Sequence, residues 1–196
     1  MSKKIFLIIF LLLLATLAGL YVIFDVNKNN VVNYHNENAL TDANNQTMGP
    51  GLPLRLTIPS INVDTEIIRV GLDNNGSVAV PEGPSQVAWF QLGPRPGQKG
   101  SAIITGHFGP WKSGAHSVFD NLDKLKPGDK IYVKNDQDIT LTFTVRESRI
   151  YDASETPAEV FNKNDGIYLN LITCNGDWIT SQKTYTKRLV VFTNAV

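Results

Sequence analysis

Beyond residue 50, apolar and polar positions alternate in short runs between Pro and Gly turns, whereas residues 5–24 are apolar with breaks only at Thr16 and Gly19. The two patterns predict different elements. At about 1.5 Å per residue the N-terminal run makes a helix of roughly 30 Å, the thickness of a bilayer's hydrocarbon core. Lys3 and Lys4 precede it and Asp25 follows, so the positive-inside rule predicts a single-pass anchor with a cytoplasmic N-terminus and the rest of the chain outside the cell. A cleavable signal peptide is the competing reading, because Leu14-Ala15-Thr16-Leu17-Ala18-Gly19 has the small residues of a cleavage site. The run continues through Leu20-Tyr21-Val22-Ile23-Phe24, longer than a usual signal core, which favours a retained anchor over residues 1–24.

Residues 25–50 are polar and rich in asparagine, and their low apolar content cannot offset the entropy of ordering, which predicts a tether. His35 lies in this segment without a neighbouring ligand set, so no metal site is expected there. The folded domain is expected over residues 51–196. Leu54-Arg55-Leu56-Thr57-Ile58 alternates before Pro59, and further strands are predicted at 66–70, 77–80, 101–105, 130–134, 139–147, 167–174 and 188–193. Asp73-Asn74-Asn75-Gly76 and Pro127-Gly128-Asp129 carry turn chemistry. Short helical turns fit 117–122, with Ser117 as a cap, and 156–161, with Pro157 in the first turn. About eight short strands at this spacing predict a mostly β fold, a small closed barrel with short helical turns.

Charge narrows the function. Eighteen basic and 18 acidic residues balance to a formal net charge of +0, and scattered Lys and Arg form no stripe of the kind a nucleic-acid backbone requires. The cysteine count changes the picture more: the chain has one, Cys174, in a domain expected outside the cytosol. It cannot form an internal disulfide, which leaves intermolecular pairing, a buried apolar thiol or a reactive nucleophile. A free thiol with a pKa of about 8.5 is mostly protonated at neutral pH, so a nucleophilic cysteine needs a cation or base beside it. His107, at the end of the apolar run Ala102-Ile103-Ile104-Thr105, and Arg188, opening Leu189-Val190-Val191-Phe192, are the candidates. Taken singly, each has an ordinary structural explanation. His116 is a second candidate partner, but it lies in a loop rather than at a strand end.

Taken together, Thr105-Gly106-His107, Leu171-Ile172-Thr173-Cys174 and Lys187-Arg188-Leu189-Val190-Val191 resemble, in order and spacing, the histidine, cysteine and arginine motifs of the sortase family of cysteine transpeptidases. The likeness runs from about Leu54 to Phe192 and includes Leu56-Thr57-Ile58-Pro59 and the passage through Pro127-Gly128-Asp129. Asn170 stands where the family's Thr-Leu-x-Thr-Cys motif has its first Thr, a departure that leaves the subclass open; the resemblance is to a class D-, E- or F-like member. No Asp-Pro-aromatic triplet of the pilus-type lid occurs between Asp25 and Leu54, which implies a housekeeping or accessory role.

The resemblance implies a membrane-anchored extracellular enzyme of a Gram-positive-type envelope. It would cleave surface proteins at a C-terminal sorting signal similar to Leu-Pro-x-Thr-Gly and pass them to an amine of a peptidoglycan precursor or of another protein. Cys174 would be the nucleophile, Arg188 the oxyanion donor and His107 the acid–base, with Thr173 and Trp178 as candidate substrate contacts; Trp111 and Trp178 otherwise read as barrel-rim packing. No cofactor is implied, and although some sortases bind calcium through loop carboxylates, the Asp and Glu residues here form no calcium-loop motif. An L,D-transpeptidase would need a Ser-His-Gly-Cys type of motif, and Leu-Ile-Thr precedes Cys174 instead. A non-catalytic wall-binding or adhesive barrel with a buried thiol is the alternative from another class.

Overall fold

The structure, a computed structural model, describes residues 49–111 and 114–196. The predicted anchor, residues 1–24, and nearly all of the predicted tether lie outside the described residues, among which no helix is long and apolar enough to cross a membrane.

Pro53–Ile58 forms β1, and its alternation holds from Arg55 onward, with Arg55 facing solvent and Leu56 and Ile58 fully buried, whereas Leu54 is exposed at a register shift between Pro53 and Arg55. A 3₁₀ turn at Pro59–Ile61 closes on Asn62 in the left-handed region, φ 55°, and delivers the chain into β2, Val63–Val70. β3 (Val87–Phe90), β4 (Gly100–Gly106), β5 (Lys130–Asn135), β6 (Thr140–Asp152), β7 (Ile167–Ile179) and β8 (Thr184–Ala195) complete a closed barrel in the order β1-β2-β3-β4-β7-β8-β6-β5. Neighbours are antiparallel except for β2 with β3 and β4 with β7. Closure by the β1–β5 pairing leaves no open sheet edge, and the interior is filled by side chains including Leu56, Ile104, Phe119, Phe143, Leu169 and Val191. Both the strands and this core lie wholly within residues 49–196, so this segment holds everything an independent folding unit needs.

Three walls of the barrel are covered on both faces. On β4, Ala102 and Ile104 point into the barrel while Ile103 packs outside it; on β8, Val191 points in while Val190 and Phe192 point out. The outer cluster is roofed by Val160 and Phe161 of a single α-helical turn, α1, Ala158–Phe161. Asn170 ties that roof to β7 by donating to the Val160 carbonyl at 2.7 Å. Double-sided burial explains the near-continuous apolar runs of β4, β7 and β8, because both side-chain rows of each strand leave water.

Two predicted details differ. Residues 77–80 do not form a strand: they fold back against Gly71 and Leu72 through one bridge, Leu72–Val78, because the Asp73 carboxylate gathers the N–H groups of Asn75 and Ser77 into a tight turn. The strand in this region is β3, whose four residues are too few and too uniformly apolar to show alternation. The predicted 117–122 turn becomes a 3₁₀ turn at Leu122–Lys124, and the Ser117 hydroxyl donates to the Gly109 carbonyl at 2.6 Å instead of capping a helix.

Candidate active site

Strand register brings the three motifs together. β4 and β7 run parallel with Thr105 beside Ile172, so two residues further along, His107, just past the end of β4, comes level with Cys174, within β7. β7 and β8 run antiparallel with Cys174 directly opposite Arg188; residues so paired project from the same face with Cβ atoms about 4.5–5.5 Å apart. Period-two alternation from Ile103 and Val190 puts Thr105, His107, Ile172, Cys174 and Arg188 on the outer face, in line with the roofed apolar cluster. The result is an open cleft of about 1410 Å³, lined by His107, Cys174 and Arg188 together with Leu72, Val80, Trp111, Trp178 and Tyr185.

The glycine before His107 has a steric cause. A Cβ on Gly106 would lie 2.6 Å from Phe119 Cδ2 and 2.9 Å from Val118 Cγ1, so β4 can end against the buried Phe119 ring only with hydrogen at this position. Gly106→Ala is expected to lower stability by about 1–3 kcal/mol, the usual cost of overpacking, read as a fall in the denaturant midpoint at unchanged m-value.

The loop after His107 is held by its own side chains. Asp120 accepts from the Gly109 N–H at 2.8 Å, the Ser117 N–H at 3.0 Å and His116 Nδ1 at 3.2 Å, and the Phe119 N–H donates to the His107 carbonyl at 3.0 Å. The His107 ring packs against Trp111, centroids 4.7 Å apart at 55°, with its Nε2 at 2.7 Å from the Pro81 carbonyl oxygen. His116, by contrast, has a side chain 98% exposed and does not line the cleft. Tyr185 packs its hydroxyl end onto Gly109, where φ is +88°, and its ring edge-to-face against Phe108 and Trp178 at 5.5 and 5.1 Å.

Arg188 is a fixed fork. Nη1 donates to the carbonyls of Tyr185 and Lys187 at 3.0 and 2.8 Å, and Nη2 to Thr184 Oγ1 at 3.1 Å. A guanidinium has five N–H donors, so Nε–H and the second Nη2–H have no protein acceptor among the described residues. Cys174 is half-buried, and burial pushes its thiol above the ordinary range while the Arg188 charge pulls the other way more weakly. Thr173, the next residue along the alternation, is buried at 3% exposure with its hydroxyl donating to the Gly106 carbonyl at 2.8 Å. It ties β7 to the end of β4 beneath the cleft. Trp178 borders the cleft, 53% exposed.

Asp120, Thr184 and Tyr185 were not signalled as site residues by the motif pattern. For Asp120 a signal exists: Ser117-Val118-Phe119-Asp120 has capping-box spacing, and the carboxylate does reach back to the Ser117 N–H.

A profile of the Sortase domain matches residues 56–196. The chain belongs to the sortase family. The barrel is similar to that of sortase C-1 from Actinomyces oris, at 24% identity over 76% of each chain and a TM-score of 0.58. It is likewise similar to a lid mutant of sortase A from Corynebacterium diphtheriae, at 24% identity over 78% of this chain and 74% of that one with a TM-score of 0.57. For a sortase D5 transpeptidase of Clostridium perfringens the values are 21% identity, 74% and 79% coverage and a TM-score of 0.55. A search of curated proteins found no match. The protein is thus a sortase-type cysteine transpeptidase with the closed eight-stranded barrel expected of the family.

Proposed function

We propose that this sortase, anchored by residues 1–24 outside the membrane of a Gram-positive-type cell, cleaves a C-terminal sorting signal similar to Leu-Pro-x-Thr-Gly and transfers the surface protein to a cell-wall amine. The observation that carries the residue assignment is the register: Cys174 opposite Arg188, with His107 at the end of the adjacent parallel strand.

In this reading the Cys174 thiolate attacks the carbonyl carbon of the scissile peptide bond. The carbonyl oxygen takes up the electron pair and becomes an oxyanion, towards which Arg188 offers its two remaining N–H groups. Collapse of the intermediate breaks the C–N bond, and protonated His107 gives its proton to the departing amine, leaving a thioester on Cys174. An incoming amine attacks the thioester, its proton passes to His107, and the thiolate leaves. The apolar floor of Ile172, Val190 and Phe161 in the lining suits the aliphatic part of such a signal, and Trp178 is placed to contact it; Thr173 contributes through its backbone and its tie to Gly106. The raised thiol range means that the reactive form is a minor population at neutral pH, so turnover should rise with pH on its thiol limb. A role in general surface-protein anchoring, and not in building pili, is in keeping with the absence of an Asp-Pro-aromatic triplet between Asp25 and Leu54.

Residues 49–196 incubated with fluorogenic sorting-signal peptides, with and without an amine acceptor, test the proposal. A ligated product in the mass spectrum, formed only with acceptor, is the expected result. Failure of the folded, thiol-reactive protein to cleave any such peptide would turn the assignment towards a binding module.

A further inference from the structure

The His107 imidazole is held from behind by backbone. Its Nε2 lies 2.7 Å from the carbonyl oxygen of Pro81, a buried residue. A peptide carbonyl only accepts, and a neutral imidazole carries one N–H, so Nε2 is the protonated nitrogen in this contact and Nδ1 keeps the lone pair. The segment carrying that carbonyl is itself fastened at both ends. On one side the Ala79 N–H donates to the Gly71 carbonyl at 3.0 Å, and on the other the Val118 N–H donates to the Pro84 carbonyl at 2.8 Å. Between them Thr105, 5% exposed and in the same outward row as His107, donates its hydroxyl to the Ala79 carbonyl at 3.1 Å. Thr105 of β4 and His107 just past its end therefore hold two carbonyls of one strap, and Trp111 packs against the ring.

We infer that the Pro81 carbonyl, set in place by Thr105, locks His107 as the Nε2–H tautomer, so that Nδ1 is the nitrogen through which the reaction's protons pass; this rests on the acid–base assignment of His107 above. In the cycle the proton stays on Nε2 throughout, hydrogen-bonded to the Pro81 carbonyl. The imidazolium gives its Nδ1 proton to the leaving amine, the lone pair returns to Nδ1, and the same nitrogen takes a proton from the incoming amine. The ring never needs to turn over between the two half-reactions. Pro81 and Thr105 are positioning residues in this scheme, acting through His107 and not on the substrate.

Long-range proton–nitrogen correlation spectra of ¹⁵N-labelled residues 49–196, taken where the imidazole is neutral and assigned by difference against His107→Gln, read the tautomer directly. The expected His107 pattern is an unprotonated Nδ1 and a protonated Nε2; the opposite pattern overturns the lock. Thr105→Val keeps the shape of the side chain but removes the hydroxyl. It is expected to mix the tautomers and lower kcat about tenfold with KM unchanged, the scale of one hydrogen bond, with Thr105→Ser restoring both. A Thr105→Val protein with wild-type kcat and spectrum overturns the role of Thr105. The tautomer is measured without substrate, so an inactive wild-type protein showing Nε2–H would refute the reaction assigned above while supporting the lock.

Discussion

Cys174→Ala is expected to abolish cleavage of sorting-signal peptides, with turnover reduced on the order of 10⁵- to 10⁶-fold, the scale of losing a nucleophile. No other described residue of the cleft can take its place, because the intermediate is a thioester and the chain has a single sulfhydryl. The fold should tolerate the change. Cys174 lies on the outer face of the β7–β8 ladder and is only half-buried, and its backbone pairing with Arg188 is independent of the sulfur. A surface-facing truncation of this size alters stability by about 0.5 kcal/mol, so the melting temperature serves as the control. The decisive measurement pairs that melting curve with peptide cleavage and with intact-mass detection of the acyl adduct in the wild type. Residual cleavage by a folded Cys174→Ala protein at more than about a thousandth of the wild-type rate would remove Cys174 from the chemistry.

Much of this site was legible in the sequence because the limits of apolar runs are. Ala102-Ile103-Ile104-Thr105, Leu169-Asn170-Leu171-Ile172-Thr173 and Leu189-Val190-Val191-Phe192 are too apolar to be anything but well-covered strands, and His107, Cys174 and Arg188 stand at the limits of these runs, although β7 continues past Cys174 to Ile179 and β8 begins before Arg188 at Thr184, beyond the predicted 167–174 and 188–193. Parallel β4–β7 pairing and antiparallel β7–β8 pairing then suffice to gather them. What could not be read is the support. The acceptor for His107 is the carbonyl of Pro81 and two of the acceptors for Arg188 are carbonyls of Tyr185 and Lys187; every residue has a carbonyl, so side-chain identity carries no trace of the role. The misplaced strand at 77–80 has a related cause. Val78 and Val80 alternate with small residues as a strand would, but the Asp73 turn is too tight to feed a ladder, and the pairing partner of β2 is supplied by the pattern-free Val87-Ala88-Trp89-Phe90. A carboxylate in a loop is ordinarily solvated, whereas Asp120 collects two backbone N–H groups and a histidine.

Arg188→Met is expected to lower turnover about 10²- to 10³-fold, the cost of removing a donor to a developing oxyanion, and to make Cys174 ionise at higher pH. The second effect has a definite sign. Burial raises the thiol and the guanidinium charge lowers it, so removing the charge leaves burial unopposed and the pKa climbs further from the ordinary value of about 8.5. Alkylation by iodoacetamide as a function of pH reads this without substrate: the wild-type midpoint should lie above that of a free thiol, and the Arg188→Met midpoint above the wild type. Arg188→Lys separates the two contributions. An ammonium keeps the charge, so its alkylation midpoint should stay close to wild type, but with three N–H groups it cannot bond the carbonyls of Tyr185 and Lys187 and Thr184 Oγ1 and still have donors left for an oxyanion. Turnover of Arg188→Lys should therefore remain within about tenfold of Arg188→Met. A lysine variant with near-wild-type turnover would reduce Arg188 to a point charge, and the three hydrogen bonds that hold its fork would then serve only the β8 backbone.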